Sequence, residues 1–182
     1  MFKDLDIGPV EVVRGSTSLG ETKGGVRLTF NESDMKTTVD RTGETARAKY
    51  VIGTECKAVG AIAEATLAQL AEVTGMTVTE GATTDELALK DRTGTNLLDD
   101  AETVTLKPIV AGTTSTEAAK WIVIPKATIK PTFDVNHTPQ DQQVWGFEIE
   151  GHPVKAADLL SGALLAGSGY AVGTILKLGD AD

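Results

Sequence analysis

The chain has 182 residues, 41% of them hydrophobic, enough for one globular domain with a core and too few to favour two. A formal net charge of −9 and a pI near 4.7 argue against a nucleic-acid grip, which needs clustered Lys and Arg to displace counterions. Only 4% of residues are aromatic, so the core must be built from Val, Ile, Leu and Ala.

Residues 1–9 are short, mixed and end at Pro9, and read as an N-terminal arm. With no basic lead, no long apolar run and no stretch near eighteen apolar residues, neither a signal peptide nor a membrane span is expected, and the chain reads as soluble and made in a cytoplasm. Val10, Val12 and Val13 open a first strand. Gly15 to Gly20 and Glu21 to Gly25 carry the residues of tight turns, and Val26, Leu28 and Phe30 restart the alternation. From Asn31 to Thr45 the apolar signal thins to Met35 and Val39, as in a long hairpin tip or loop, and a loop of that length usually has a job.

The next stretch organises the chain. Ala46, Ala48, Tyr50, Ile52, Cys56 and Ala58 alternate with Arg47, Lys49, Glu55 and Lys57, the period-two pattern of a half-buried strand. Twelve such residues at ~3.3 Å each would reach roughly 40 Å, about twice the usual strand length, so the strand should outrun its own domain. Cys56, on the apolar parity, reads as a small core residue. Ala63, Leu67, Leu70, Ala71 and Thr74 then share one face of a helix, about 64–74, that Gly75 is placed to stop.

Met76 and Val78 predict a short strand; Leu87 and Leu89, a turn at Asp91, then Leu97 and Leu98 predict a hairpin. Val104, Leu106 and Val110 form another strand, and Trp121–Ile124 is apolar on both parities, as a covered strand would be. Pro125 and Pro131 restrict that region to edge or bulge geometry. Trp145, Phe147 and Ile149 alternate with Gly146, Glu148 and Glu150. Pro153 to Leu165 could hold a turn or two of helix, Tyr170–Leu176 reads as a last strand, and 177–182 as a C-terminal extension. The pattern is mainly β: a two-sheet β-sandwich or barrel, one packed α-helix at about 64–74, and a long β-hairpin or loop over 31–49.

Motifs of chemistry fail on inspection. Gly15–Thr22 has phosphate-loop spacing but Glu21 where the Lys should stand, and Gly167–Gly173 misses the dinucleotide fingerprint. Asp134, Asn136 and Thr138 have calcium-loop spacing, with Pro139 where Gly is required and Trp145 where Glu is required. His137 and His152 have no partners at ligand spacing, the sequons at Asn31 and Asn136 need a secretory route, and no nucleophile elbow exists. No catalytic, metal or cofactor residue is expected, and the chain reads as a non-enzyme. Asp40-Arg41-Thr42-Gly43 recurs as Asp91-Arg92-Thr93-Gly94, which reads as one turn chemistry used twice.

The order Leu19-Gly20, Gly24 to Phe30, Asp40 to Gly43, Ile52-Gly53, Glu64 to Leu70, Ile124 to Ala127 and Trp145/Phe147 resembles the major tail tube proteins of tailed bacteriophages. The resemblance implies a single tail-tube domain over 1–182, hexameric rings stacked into a tube whose inner strands join, and double-stranded DNA passing through an acidic conduit without specific binding. It implies tape-measure, tail-terminator and baseplate proteins as partners, no membrane, and a place in the virion tail after assembly in the host cytoplasm. By position, Met35, Val39, Arg41 and Thr42 fall in contacts between rings or subunits, and Lys49 and Glu55 near the lumen. A β-sandwich ligand- or carbohydrate-binding module, or a secretion-tube or head-decoration protein, stands as the alternative; Trp121 and Trp145 read as core, against the stacking such a module needs.

Overall fold

A computed structural model describes residues 8–37, 48–63, 66–74, 78–79, 86–87, 91–132, 144–160, 163 and 165–179. The strands are β1 (Val10–Arg14), β2 (Thr17–Thr37), β3 (Ala48–Ala63), β4 (Val78–Thr79), β5 (Glu86–Leu87), β6 (Glu102–Val110), β7 (Thr113–Thr114), β8 (Ile122–Thr132), β9 (Val144–Gly151) and β10 (Lys177–Leu178). One helix, α1 (Leu67–Thr74), lies among them. Among the described residues the protein is mainly β with one α-helix, and of the two architectures read from the sequence it takes the barrel. The antiparallel order β8-β9-β3-β2-β1-β6 closes because β6 also pairs with β8. Closure gives each of those six strands a partner on both sides over at least part of its length, which removes most of the free edge along the barrel wall.

The interior is aliphatic, as the composition requires. Val12, Ala58, Val104, Ile124 and Ile149 are fully buried, and Leu19, Cys56, Ile62, Leu106 and Phe147 nearly so. Burial pushes the Cys56 thiol pKa up, which suits a packing residue. Small residues set the spacing between strands: Gly151 lies opposite Cys56, and a Cβ on it would stand 2.9 Å from Ile124 Cγ2 and 3.1 Å from Cys56 Cβ.

Local chemistry moved several boundaries. Thr66 and Gln69 form a reciprocal cap, Thr66 N donating to Gln69 Oε1 (2.7 Å) and Gln69 N to Thr66 Oγ1 (3.3 Å). The helix therefore starts at Leu67, later than the apolar spacing suggested, and residues 64–65 lie outside those described. At its other end Arg14 Nη1 donates to Glu72 O and Arg92 Nη1 to Thr74 O (2.5 Å), so two guanidinium groups satisfy the last-turn carbonyls. The turn expected at Glu21–Gly25 is instead a kink inside β2: the ladder jumps from Thr22↔Ile62 to Val26↔Gly60, and Gly24 and Gly25 supply the positive φ. Pro125 falls where β6 and β8 slip register, its missing N–H outside the ladder, as the bulge reading required.

Leu97 and Leu98 are not strand. The Asp91 turn runs on into a second turn, with Thr93 N donating to Asp91 Oδ1 (2.9 Å) and Gly94 at positive φ. That is the turn chemistry expected of the repeated tetrapeptide; its first copy, residues 40–43, lies outside the described residues, as do Met76, Leu89 and the 134–139 stretch. Tyr170–Leu176 is not strand either. Gly173 turns with φ +89, Val172 is exposed, and only Lys177–Leu178 pairs, with Val123 and Ile122. Among its described residues, the 153–165 run holds one 3₁₀ turn, Ala156–Leu159.

Trp121 and Trp145 are half-buried rather than core. Trp121 donates its indole N–H to Ser115 O (2.9 Å), and Lys107 Nζ stands 4.7 Å from its ring centroid.

The segment after β9 is pinned to the outside of β8 by polar contacts. Lys126 Nζ meets Asp158 Oδ1 at 2.7 Å with both side chains largely buried, His152 N donates to Lys126 O (2.7 Å), and His152 Nε2 lies 3.0 Å from Thr128 Oγ1. The Lys126 hydrogen bond, then that from the Lys155 amide, holds the Asp158 carboxyl below the usual range, and burial lowers the His152 pKa.

Two predictions follow from this packing. Gly151→Ala should destabilise by about 1–3 kcal/mol through overpacking against Ile124 and Cys56, read as a lower urea midpoint with unchanged m-value. Asp158 and His152 both have depressed folded pKa values, so the unfolded chain binds more protons and stability is lost as pH falls from neutrality, first below the ordinary imidazole range and then through the carboxylate range. Asp158→Asn should cost about 1–3 kcal/mol at pH 7, where Lys126 is left buried without its counter-charge, and the gap to wild type should close at acid pH in a denaturation series.

Candidate functional site

The barrel uses only part of its two longest strands. β3 pairs with β9 from Cys56 to Ala63, while β2 pairs with β1 only over Thr17–Glu21. Residues 31–37 and 48–55 pair with one another and, among the described residues, with no third strand. Eight residues of β3 thus leave the barrel, a reach of roughly 25 Å. The result is a two-stranded arm with both outer backbone edges unpaired, a structure that is marginal in water on its own and a template for another strand.

Phe30, Met35, Tyr50, Val51 and Ile52 lie along this arm with 47%, 52%, 58%, 59% and 64% of their surface exposed. The alternation had placed Tyr50 and Ile52 on the buried parity with Cys56, and the structure corrects this. The ladder runs Ser33↔Gly53 and then Asp34↔Val51, leaving Ile52 as an extra residue. That bulge reverses the parity beyond it, because β2 continues without interruption while β3 skips one position. Tyr50, opposite Met35, therefore shares a face with Ser33 and Asn31, whereas Val51, opposite Asp34, shares one with Glu32 and Phe30.

The arm's two faces differ in charge. One carries Glu32, Asp34, Lys36 and Lys49, with Lys49 Nζ 3.2 Å from Asp34 Oδ1 and Lys36 directly opposite Lys49. The other carries Asn31, Ser33, Met35, Thr37, Ala48 and Tyr50, with Glu55 near the barrel as its charged residue. Lys49 and Glu55, paired by parity in the sequence, stand on opposite faces for the same reason. Glu55 Oε1 is 3.6 Å from Lys57 Nζ. Met35 is at the arm's exposed end, and Val39, Arg41 and Thr42 lie outside the described residues. Phe30, Tyr50, Val51 and Ile52 were missed as surface residues; the broken alternation of three successive apolar residues, Tyr50-Val51-Ile52, was the available signal.

Beneath the charged face, an open cleft of ≈ 440 Å³ separates the arm's base, at Phe30, Glu32 and Thr54, from Val172, Ile175 and Leu176. It presents one carboxylate and no paired acid, base or nucleophile. Among the described residues, no group of three His, Cys, Asp or Glu is arranged to hold a metal ion, and no helix is long and apolar enough to cross a membrane. The chain matches no protein-family model and no curated protein.

Because the arm's apolar side chains support little of the fold, Tyr50→Ala should lower the unfolding free energy by under about 1 kcal/mol, the scale of one cross-strand pair. Ile149→Ala in the barrel should cost about 3 kcal/mol. Paired urea titrations at low protein concentration test the contrast.

Proposed function

We propose that the chain is a structural subunit that assembles with copies of itself into stacked hexameric rings, forming the tail tube of a bacteriophage through which double-stranded DNA passes. The observation that carries this reading is the arm: two strands that leave a closed barrel with free edges and five large exposed apolar side chains. A monomer gains nothing from displaying such a ribbon, whereas sister copies laid side by side can pair β2 of one arm with β3 of the next, antiparallel throughout.

Two further features support it. The net charge of −9 keeps the subunit as a whole from gripping phosphate. The element order carries the resemblance to tail tube proteins described above. In this reading Met35 and the stretch containing Val39, Arg41 and Thr42 contact neighbouring copies, the ends of the tube meet tail-terminator and baseplate proteins, a tape-measure protein occupies the lumen before DNA does, and the protein resides in the virion.

The carbohydrate-module alternative gains no support from Trp121, which lies under Lys107 and is tied to Ser115. A secretion tube or head-decoration protein would share the self-assembly.

Concentrated purified protein should form rings and tubes by negative-stain electron microscopy. The double substitution Met35→Glu with Tyr50→Glu should abolish them while leaving the circular dichroism spectrum and melting temperature essentially unchanged. A wild-type chain that stays monomeric in sedimentation at every concentration and salt overturns the proposal.

A further inference from the structure

The outer surface of β3, β9 and β8 is continuous with the less charged face of the arm. Register places Lys57, Glu150 and Thr128 in one cross-strand row and Val59, Glu148 and Lys130 in the next, all on the side opposite Ala58 and Ile149. Each lysine on this surface is engaged. Lys57 Nζ lies 3.2 Å from Glu148 and 3.6 Å from Glu55, Lys130 Nζ lies 2.5 Å from Glu150, and Lys126 Nζ lies 2.7 Å from Asp158. Arg27, opposite Val59, stands exposed at the margin. Lys126 and Asp158 are largely buried where the returning segment covers β8; on the open part of the face three carboxylates, Glu55, Glu148 and Glu150, meet two ammonium groups and one guanidinium, a net of zero.

We infer that this face is the DNA-facing lining of the conduit, and that its carboxylates hold Lys57 and Lys130 away from phosphate. The inference rests on the tube reading for its partner and goes beyond it in naming the surface and the device. A wall of bare carboxylates would raise a barrier to a polyanion, and free lysines would hold it by counterion release. Interleaved pairs do neither: the field of each ammonium is closed over ~3 Å by a neighbouring carboxylate and is screened within about a Debye length. The pKa directions agree with closed pairs, since hydrogen bonding to Glu148 raises Lys57 and hydrogen bonding to Lys130 lowers Glu150.

The test uses the full chain and a fluorescent duplex of 25 base pairs, read by anisotropy at about 50 mM salt. Wild type should show no retention. The triple variant Glu55→Gln, Glu148→Gln, Glu150→Gln should bind at least about tenfold more tightly, with an affinity that falls as salt rises on a log-log slope near −2, one unit for each lysine released. Adding Lys57→Gln and Lys130→Gln should abolish that binding. A control with the same change in net charge elsewhere, Glu21→Gln, Glu32→Gln and Asp99→Asn, should stay inert. A triple variant that is folded by circular dichroism yet binds no better than wild type overturns the inference, as does a control that binds equally well. Electron microscopy of the same samples separates the two ideas: tubes with an inert triple variant sink the lining assignment alone, whereas gain of DNA binding without tubes sinks the tube reading and leaves the masked lysines standing.

Discussion

Backbone hydrogen bonding sets the terms for the whole molecule. Six antiparallel strands close because β8 pairs with β9 through its second half and with β6 through its first, so one strand is shared by two sides of the barrel. The bulge at Pro125 turns β8 at that junction, and the kink at Gly24 and Gly25 turns β2 on the facing wall. Closure pairs much of the barrel backbone on both sides, while β2 beyond Glu21 and β8 beyond Ala127 keep one partner each among the described residues, and β2 and β3 continue past the barrel altogether. β2 and β3 run on together, and their outer edges are the largest stretch of unpaired strand backbone among the described residues.

The barrel and the arm divide the apolar residues in two ways. Inside, Val, Ile, Leu and Ala fill a core with few aromatic rings, and close approach at Gly151 and Gly60 keeps neighbouring strands tight. On the arm, Phe30, Met35, Tyr50, Val51 and Ile52 remain in water. A patch of that kind on a soluble monomer marks an interaction surface. In the proposed self-association, its place on strands with open edges would let backbone pairing add to side-chain burial.

Charge is handled locally. Lysines on the outer sheet are matched by carboxylates on the adjacent strand, Arg14 and Arg92 finish the helix, and Lys126 fixes the returning C-terminal segment through Asp158. The overall acidity therefore comes from carboxylates elsewhere, including the exposed 91–100 turn region, while the broad sheet face is close to neutral. The local charge of this face is in this way separated from the bulk charge that composition reports.

The sequence by itself determined the class of fold, the single helix, the long strand through Cys56 and the turn at Asp91-Arg92-Thr93-Gly94. Each rests on local rules: side-chain period, helix spacing, and the few residues that tolerate a tight turn. Only the tertiary structure decided that the sheet closes, since that depends on Ile122–Ile124 meeting β6 and β10 while 127–132 meets β9. It also decided which way the arm's side chains point. One extra residue, Ile52, turns Tyr50 and Lys49 to the faces opposite those their parity assigned, and an inserted position in a ladder leaves almost no mark on the one-dimensional pattern because it is defined only against its partner strand.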